Sequence, residues 1–378
     1  MVLFVLTKEK GDTMSDNHRR YCAIKNALAQ LCPNLKGHKA CHLLTLTALI
    51  CGIVGSHKTQ LPAIASKAPG KAKRQSRITR YERFLKNKAI TIKEYYLPYV
   101  QALLASLPEG PLLLVIDGSQ VGRNCMALVI SVLYQKRALP LCWLIVKSKK
   151  GHLLESLHME LVEKAQKLLG PDREVTLLGD GEFDGTDLLE KVRLGGWEYV
   201  CRTAKNVCLY EDGQLFSFSD LCVREGEHAE ISGVEFTLAR YGPVTVIAVW
   251  ESGYLEPLYL VTNLELGEEA LLFYRRRYGI ETFFSDQKSR GFHLAHSHLS
   301  DPERLVRLMI ASCLGYIWMV CLGVRVKQNG RLSDIHRSNR CDLSLFQIGL
   351  IWLEHCLTEG LHIWAGFGLP VIRLPEYV

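Results

Sequence analysis

Four side chains able to hold or act on a phosphate group lie within one short segment, residues 274–288, YRRRYGIETFFSDQK. They are Tyr274, Arg277, Glu281 and Lys288, at offsets of 0, 3, 7 and 14 residues. At about 100° per residue of an α-helix, these positions fall within a wedge of roughly 60°. The spacing predicts a single helix face that carries all four groups. A solvated face is the alternative, because an ion pair between Arg277 and Glu281 at i, i+4 is ordinary and stabilises a helix by only about 0.2–0.5 kcal/mol.

Two aspartates elsewhere in the chain are candidates to join Glu281 in one site. Asp117 ends the apolar run PLLLVID, and Asp180 ends the run VTLLGD. Each is predicted to follow a strand directly, where burial of an unpaired carboxylate is costly. A glycine follows each aspartate, so the chain is expected to turn and expose the carboxylate at the sheet edge. An Asx-turn is the structural alternative for either residue taken singly.

Two strand-end aspartates and one helix glutamate provide only oxygen ligands, which suit Mg²⁺ or Mn²⁺ and not zinc. Two such ions about 4 Å apart can activate a water or a 3′-hydroxyl and stabilise the departing oxygen of a phosphodiester. The neighbouring Arg277 and Lys288, together with Tyr274, would then hold the phosphate that flanks the scissile bond. Arg277 suits this role as a bidentate donor.

The elements that must position these residues form a predicted mixed α/β sheet. Three strands in a meander are followed by alternating helix and strand. Strands are expected at 111–116, 127–134, 138–147, 175–179 and 197–203, with helices at 153–169 and 184–194. Residues 206–263 are β-rich and contain an Asp-Gly hairpin signal, which predicts an all-β insertion before the helix of Glu281. After Asp301 the chain is predicted to be mostly helical to about residue 363.

The first hundred residues are predicted to be helical, at 21–31, 41–55, 59–66 and 78–87, and they are strongly basic. They hold 18 Lys and Arg against 5 Asp and Glu, a net charge of +13, whereas the remainder carries 28 against 34, a net charge of −6. Such asymmetry indicates that one part meets a polyanion.

Ten of these basic residues lie within residues 67–93, against the single Glu82. Clustered Lys and Arg are what neutralising a phosphate backbone requires, although a solvated helix face is the alternative. Residues 66–77, SKAPGKAKRQSR, are expected to form a loop or arm. The candidate DNA contacts of this arm are Lys71, Lys73, Arg74, Arg77, Arg80 and Arg83.

Other classes of protein fit the sequence less well. The 13 cysteines include no C-x-x-C pair, which favours free thiols in a reducing cytosol over a disulfide scaffold. The segment DGEFDGTDLLEK imitates a calcium loop, but Lys191 stands at its twelfth position, where a glutamate is required. Residues 308–324 form an uncharged run of about 17 residues, for which a buried helix is preferred to a membrane span.

The motif Y-x2-R-x3-E-x6-K, present as Tyr274, Arg277, Glu281 and Lys288, resembles the signature of the insertion-sequence-four type of DDE transposases. The segments LVIDGS and LLGDGEFDG resemble the two aspartate motifs of that family. The β-rich insertion before the glutamate helix is also similar to its organisation. The resemblance covers about residues 60–320.

The resemblance implies a ribonuclease H-like catalytic core in which Asp117, Asp180 and Glu281 bind the metal ions. The expected fold class is therefore α/β, a ribonuclease H-like mixed sheet with an all-β insertion, an N-terminal helical DNA-binding domain and C-terminal helices. The expected boundaries are 1–107 for the DNA-binding domain, 108–205 and 264–325 for the core, 206–263 for the insertion and 326–378 for the C-terminal helices.

The resemblance further implies cut-and-paste transposition, in which a homodimer synapses two terminal inverted repeats of double-stranded DNA. It places the protein at the nucleoid in the cytoplasm, without a membrane partner. Some relatives free the element through a DNA hairpin, for which a tryptophan of the insertion stacks on a flipped base. Trp250 is the candidate for that role, and packing on its strand is the preferred alternative.

Two other functions are also compatible with the sequence. One is a metal-dependent nuclease or repurposed transposase that cuts DNA without joining strands. The other is a non-catalytic DNA-binding regulator, which the sequence disfavours because three clustered acids would repel DNA unless a metal ion intervened.

Overall fold

The structure is a computed structural model that describes residues 14–33, 35–149, 152–337 and 340–370. The chain divides into two compact units. Unit 1 comprises Met1–Glu109, Val121–Cys125 and Ser285–Val378, and unit 2 comprises Gly110–Gln120 and Met126–Phe284.

The described residues form helices and strands, numbered in chain order. The helices are α1 Asp16–Leu31, α2 Gly37–Ser56, α3 Leu61–Lys67, α4 Arg74–Lys86, α5 Ile92–Tyr95, α6 Leu97–Ala105, α7 Glu155–Leu169, α8 Thr186–Leu194, α9 Gly267–Arg275, α10 Gly279–Gln287, α11 Pro302–Gln328 and α12 Leu345–Thr358. The strands are β1 Leu112–Gly122, β2 Cys125–Tyr134, β3 Arg137–Lys147, β4 Val175–Gly179, β5 Glu198–Arg202, β6 Cys208–Glu211, β7 Gln214–Ser217, β8 His228–Phe236, β9 Tyr241–Val249 and β10 Leu258–Thr262.

Unit 2 is built on one mixed sheet, whose described strands follow the order β3-β2-β1-β4-β5-β10-β9-β8-β6-β7. β1 pairs with β4, and β4 with β5, in parallel. The pairs from β5 onward are antiparallel. Two-residue connections join β1 to β2 and β2 to β3, and connections this short join antiparallel neighbours. The predicted meander, followed by alternating helix and strand, is confirmed.

The β-rich segment 206–263 extends the same sheet. Asp212 and Gly213 join β6 to β7, and both have positive φ angles, +48° and +82°. The flanking Glu211 and Gln214 pair across the two strands. Positive φ at both central residues is the turn geometry that Asp-Gly favours. The hairpin signal in the sequence is therefore confirmed.

Helices α7, α8 and α9 pack on the sheet of unit 2: α7 against β3 and α8, and both α8 and α9 against β5. Helix α7 buries His158, Leu161, Val162 and Ala165. These positions are spaced 3, 1 and 3 residues apart, the pattern of one buried stripe along a helix. This stripe fixes α7 beside the loop that follows β4.

Helix α11 is the centre of unit 1 and packs against α2, α4 and α12. Its contact with α12 is unusually close, because glycines remove the side chains that would separate the two backbones. A Cβ atom at Gly323 would collide with the carbonyl oxygen of Leu345, and one at Gly349 would collide with that of Met319. The α11–α12 contact therefore depends on glycine at both positions.

Two described helices, α2 and α11, are long and apolar enough to cross a bilayer by length and composition. The most apolar window of α11 is 94% buried inside the structure, and that of α2 is 61% buried. Mostly buried helices of this kind are also found in the cores of globular proteins. The expected buried helix at residues 308–324 is confirmed as part of α11.

One boundary differs from the sequence-based expectation in a way that matters for function. Helix α4 begins at Arg74, so Arg74 and Arg77 lie in a helix and not in the loop expected at 66–77. The earlier start is stabilised by Arg77, whose guanidinium donates to carbonyl oxygens of the preceding loop, including Ala68 at 2.6 Å and Ala72 at 3.0 Å.

We predict that Gly323→Ala and Gly349→Ala each destabilise the protein by about 1–3 kcal/mol or more, because overpacking forces the two helix backbones apart. Gly315→Ala is the matched control on α11. The nearest atom to its added methyl is a side-chain carbon of Val54 at 3.2 Å, which can move, and alanine favours the helix by up to about 1 kcal/mol. Urea unfolding of the three variants measures the difference. Equal losses in all three would contradict the close α11–α12 contact.

Candidate active site

Strand register brings Asp117 and Asp180 together in unit 2. The last registered pair of the parallel strands is Val115 with Leu178, and each aspartate lies two residues beyond its member of that pair. Asp117 was expected at a strand end, and this expectation is wrong. It lies inside β1, which continues to Gly122 because β2 still pairs alongside it.

Asp180 directly follows β4, as predicted, and it organises the turn that leaves the sheet. Its Oδ1 atom accepts the backbone N–H of Glu182 at 3.0 Å, and its carbonyl oxygen accepts the N–H of Phe183 at 3.0 Å. This is the Asx-turn that the sequence left open as an alternative. One carboxylate oxygen of Asp180 is engaged in the turn, so the turn also orients the carboxylate.

Arg277 contacts both Glu281 and Tyr274, although the three residues do not lie on the single helix that was predicted. Helix α9 ends at Arg275, a 3-10 turn covers Arg276–Tyr278, and α10 begins at Gly279. The Arg277 Nη2 atom donates to Glu281 Oε1 at 2.9 Å, and the guanidinium lies 5.8 Å from the ring centre of Tyr274. The expected proximity of these three residues is confirmed.

Lys288 does not share a continuous helix face with the other three residues of the motif. Helix α10 ends at Gln287, and Lys288 lies in the following turn, where its N–H donates to the carbonyl of Ser285 at 3.2 Å. It also belongs to unit 1, whereas Tyr274, Arg277 and Glu281 belong to unit 2. The single-face prediction for Lys288 is therefore wrong, because the chain leaves the helix one residue before it.

Arg277 connects the acids of the site. Its Nη1 atom lies 3.8 Å from Asp117 Oδ2, while its other terminal nitrogen binds Glu281. Only 16% of the Arg277 side chain and 18% of that of Asp117 are exposed. A guanidinium is always charged and donates in a fixed planar fork. Arg277 is therefore a permanent counter-charge between two carboxylates.

Burial and neighbouring acids make the charged form of Asp117 unfavourable. The pKa of this carboxyl is raised to about 7, first by burial and then by the charges of Asp180 and Glu281. The N–H of Gly118, which donates to Asp117 Oδ1 at 2.6 Å, and the charge of Arg277 act in the opposite direction. For Arg277 itself, burial lowers the pKa, but Tyr274 and the three acids outweigh it and leave the pKa raised.

The charges of three carboxylates act on one half-buried arginine, so acidic groups outnumber basic ones at the site. Oxygen-only donors of this kind suit Mg²⁺ or Mn²⁺. In the described residues, no three His, Cys, Asp or Glu side chains stand in the arrangement of a metal site, and the ion pairs of Arg277 occupy Asp117 and Glu281. The donor set fits a divalent cation by its chemistry, and binding one requires these ion pairs to exchange.

A cavity of about 280 Å³ adjoins Arg277 within unit 2. It is lined by Arg202, Val249, Glu251, Tyr254, Glu256, Pro257, Leu258, Tyr274, Arg275, Arg277 and Tyr278. Three tyrosines offer ring faces, and three arginines face two acids, Glu251 and Glu256, of which Glu251 is ion-paired with Arg275. Tyr254 and Arg202 were not identified from the sequence because neither belongs to a motif. Arg202 ends β5 and Tyr254 lies between β9 and β10, and the pairing of these three strands brings both residues to the cavity.

Trp250 lies directly after β9 and is half-buried. Its indole Nε1–H donates to the carbonyl of Tyr254 at 2.9 Å, and its backbone N–H donates to Glu227. The residue therefore holds the turn between β9 and β10. Tyr254, and not Trp250, lines the neighbouring cavity.

The loop after Asp180 is anchored by a second set of polar contacts. Glu182 Oε1 accepts the N–H of Leu153 at 2.7 Å and lies 3.5 Å from Nε2 of the buried His158. Asp184 Oδ2 accepts the hydroxyl of Thr203 at 2.7 Å. Glu182 and Asp184 precede α8, which begins at Thr186 and not at residue 184 as expected. Their carboxylates tie the loop to its neighbours.

The basic residues proposed to contact DNA lie in unit 1, on α4 and the loop before it. Lys71, Lys73, Arg74, Arg80 and Arg83 are exposed, and Arg77 is half-buried. Arg74 donates to the carbonyl of Pro62 at 3.1 Å, so its guanidinium, like that of Arg77, also has a role in the fold.

A family model described as the transposase DDE domain matches residues 112–318, more than half of the chain. The chain belongs to this family. No curated protein matches the sequence. Among solved structures, it is similar to a cryo-EM structure of the piggyBac transposase synaptic complex with hairpin DNA. The TM-score is 0.46 at 11% identity, and the match covers 91% of this chain and 80% of that one.

Membership of the family implies an enzyme that cleaves nucleic acid and transfers strands. The matched region, residues 112–318, contains Asp117, Asp180 and Glu281, together with Arg277. It begins after the basic segment 67–93. The carboxylates gathered around Arg277 are therefore the candidate catalytic groups of this transposase domain.

We predict that Asp117→Asn stabilises the protein at neutral and higher pH in the presence of EDTA. The pKa of Asp117 is about 7 in the folded chain and about 4 in an unfolded one. The folded state therefore loses stability as the pH rises from about 4 to 7, and the full penalty persists above 7. An asparagine side chain does not ionise, so the variant lacks this penalty. The gain in Tm is therefore largest near pH 8 and disappears near pH 4. A gain that does not depend on pH would contradict this origin.

We predict that Glu182→Ala costs about 1–3 kcal/mol of unfolding free energy, because the N–H of Leu153 loses its acceptor. Glu182→Gln retains an acceptor oxygen and costs less. Glu160→Ala is the control, since its pair with Lys164 is half-exposed and contributes no more than about 1 kcal/mol. Urea unfolding distinguishes the three variants; a glutamine variant as unstable as the alanine variant would exclude the hydrogen bond as the cause.

Proposed function

We propose that this DNA transposase binds the terminal inverted repeats of a mobile element, cleaves phosphodiester bonds at its ends and joins the freed 3′-hydroxyl to target DNA. The observation that carries the proposal is that Arg277 pairs with both Asp117 and Glu281, while the charge of Asp180 acts on Asp117, in a chain of the DDE transposase family. The Tyr-Arg-Glu-Lys motif supports membership of the insertion-sequence-four type.

The strand order supports a ribonuclease H-like core. The first five strands run β3-β2-β1-β4-β5, with β1, β4 and β5 parallel, and β1 and β4 supply the two aspartates. We propose that the core comprises residues 108–205 and 264–325, interrupted by the β-rich insertion 206–263. Residues 1–107 form the proposed DNA-binding domain, and 326–378 the proposed C-terminal region.

Asp117, Asp180 and Glu281 are the residues that would hold two Mg²⁺ or Mn²⁺ ions. When bound, such ions supply the activation of a water or 3′-hydroxyl and the stabilisation of the departing oxygen. The chain itself sets the place of this chemistry. The β1–β4 register juxtaposes the two aspartates, the Asx-turn orients Asp180, and α10 presents Glu281 from its first turn.

Arg277 and Tyr274 are proposed to hold the DNA phosphate beside the scissile bond. Lys288 is proposed as a DNA-phosphate contact on the sequence motif alone. Arg277 is half-buried with its fork directed at Asp117 and Glu281, so it limits the repulsion between these acids and approaching DNA. Carboxylate and phosphate suit the same planar fork. Arg277 can therefore exchange one oxyanion partner for the other.

The proposed partner is double-stranded DNA, both as element ends and as target. A homodimer would synapse the two ends, at the nucleoid in the cytoplasm. Stacking of Trp250 on a flipped base is retained only as part of this proposal. Its indole N–H is already bonded within the β9–β10 turn, so packing remains the favoured role for this residue.

We predict that the full chain with Mg²⁺ cleaves a linear duplex carrying the genomic sequence that flanks its reading frame, and joins the product to a target plasmid. Asp117→Ala, Asp180→Ala and Glu281→Ala each reduce both steps by about a thousandfold or more, because metal catalysis supplies several kcal/mol. EDTA abolishes the reaction, and Mn²⁺ or Mg²⁺ restores it. Glu268→Ala, an acid at the start of α9, is the control and retains activity.

The same assay separates the alternatives. Cleavage without joining would identify a nuclease or repurposed transposase. Binding of the ends without cleavage by either metal would favour a DNA-binding regulator and refute both enzymatic proposals.

A further inference from the structure

The basic segment 67–93 in unit 1 contains arginines with different surroundings. The Arg77 guanidinium donates to four backbone carbonyls, those of Ala65 at 2.8 Å, Ala68 at 2.6 Å, Gly70 at 3.2 Å and Ala72 at 3.0 Å. All of these carbonyls belong to the end of α3 or to the loop before α4. Arg77 is therefore committed to fixing the start of α4.

The other end of α4 is fixed by a second arginine. Arg307 of α11, only 5% exposed, donates to the carbonyl of Leu85 at 3.2 Å and to that of Ile90 at 3.3 Å. Between the two ends, α4 buries Tyr81 and Phe84 against the unit. Helix α4 is thus a rigid element whose orientation and outward face are both set.

The face of α4 opposite its buried side is hydrophilic. The exposed residues of α4 are Arg74, whose guanidinium donates to the carbonyl of Pro62, and Gln75, Ser76, Arg80, Arg83 and Lys86; the exposed Lys71 and Lys73 precede the helix. At about 100° per residue, Gln75, Ser76 and Arg83 lie within roughly 100° of each other, away from Tyr81 and Phe84. The one acid of the helix, Glu82, is half-buried. On this outward face, the neutral Gln75 and Ser76 lie in the first turn, and the basic Arg83 and Lys86 follow.

We propose that α4 enters the major groove of double-stranded DNA, where Gln75, Ser76 and Arg83 contact base edges and Lys71, Lys73 and Lys86 contact phosphates. This proposal rests on the proposed function, since it assumes that duplex DNA is the partner. A helix of 13 residues is about 20 Å long and 10–12 Å wide, which matches a groove about 12 Å wide. Gln suits adenine and Arg suits guanine in that groove.

The chemistry of this face disfavours two other polyanions. Helices that lie on an anionic membrane present Trp, Phe or Leu to it, whereas the exposed residues of α4 are all polar or charged. Duplex RNA has a deep and narrow major groove that side chains cannot read. Duplex DNA accommodates both the shape of α4 and the order of its side chains.

The test is selection of duplexes from a random-sequence DNA pool by the full chain in EDTA, followed by binding measurements on the selected duplex and a scrambled one. We expect a motif to be enriched. Gln75→Ala and Arg83→Ala should weaken binding to the selected duplex about ten- to a hundredfold and leave the scrambled duplex nearly unaffected. Lys73→Ala should weaken both equally and lower the salt dependence by about one ion. Lys25→Ala, an exposed basic residue of α1, is the control and changes neither.

Thermal unfolding separates contact from fold. Arg83→Ala should leave the Tm nearly unchanged, and Arg77→Ala should lower it, because four carbonyls lose their donor. The proposal is overturned if no motif is enriched, or if Gln75→Ala and Arg83→Ala weaken both duplexes equally. It is also overturned if phosphatidylserine vesicles bind the chain more tightly than the selected duplex.

These outcomes are independent of catalysis, because the selection is made without metal. A chain that selects a motif but cleaves no DNA refutes the proposed function alone. A chain that cleaves and joins DNA while its α4 variants lose no selectivity refutes the inference about α4 alone.

Discussion

The charges of Asp117 in β1 and Asp180, directly after the parallel strand β4, oppose each other, and this repulsion is the central constraint on the site. The β1–β4 register ends at Val115 and Leu178, and each aspartate lies two residues beyond it. The N–H of Gly118 and the guanidinium of Arg277 offset part of the cost, and the pKa of Asp117 nevertheless stays near 7. Such concentrated negative charge is unfavourable for the fold and useful for holding a divalent cation.

Arg277 occupies the centre of this arrangement because it serves two opposing needs. In the free chain it lies close to Asp117 and Glu281 and reduces their repulsion. In the proposed complex with DNA, the same planar guanidinium suits a phosphate group. A lysine has the same charge, but its ammonium group lacks the planar fork that can bridge two oxyanions. The 3-10 turn at Arg276–Tyr278 is where the chain passes from α9 to α10, and it places Arg277 between Tyr274 and Glu281.

Arginine has a different use in unit 1. Arg77 and Arg307 donate mainly to backbone carbonyls and fix the two ends of α4. The net positive charge of the first hundred residues is therefore divided between groups that hold the fold and groups that face outward. Composition counts both kinds alike, since a guanidinium bound to carbonyls and one exposed to solvent contribute the same formal charge. Only their surroundings separate a structural arginine from a candidate DNA contact.

Local patterns in the sequence predicted most elements correctly. The strand 175–179 was predicted with its observed limits, the Asp212-Gly213 hairpin was identified from its turn residues, and the apolar run 308–324 is a buried part of α11. Turn chemistry and apolar periodicity act within a few residues, which is why they can be read without a structure. The prediction failed for the length of β1, the start of α4 and the place of Lys288. Pairing with β2 sets the length of β1, and the loop carbonyls that accept from Arg77 set the start of α4. The end of α10 at Gln287 sets the place of Lys288.

The sequence by itself determined which groups are available for chemistry: two aspartates after apolar runs, a glutamate with an arginine four residues before it, and a basic N-terminal segment. Tertiary structure decided which of these groups meet. The pairing of β1 with β4 joins residues 63 positions apart, and the ion pairs of Arg277 link Asp117 to Glu281. It also decided that Arg77 belongs to the fold, whereas Arg83 faces outward. Strand pairing and burial depend on partners distant in the chain, so the spacing of residues alone cannot specify them.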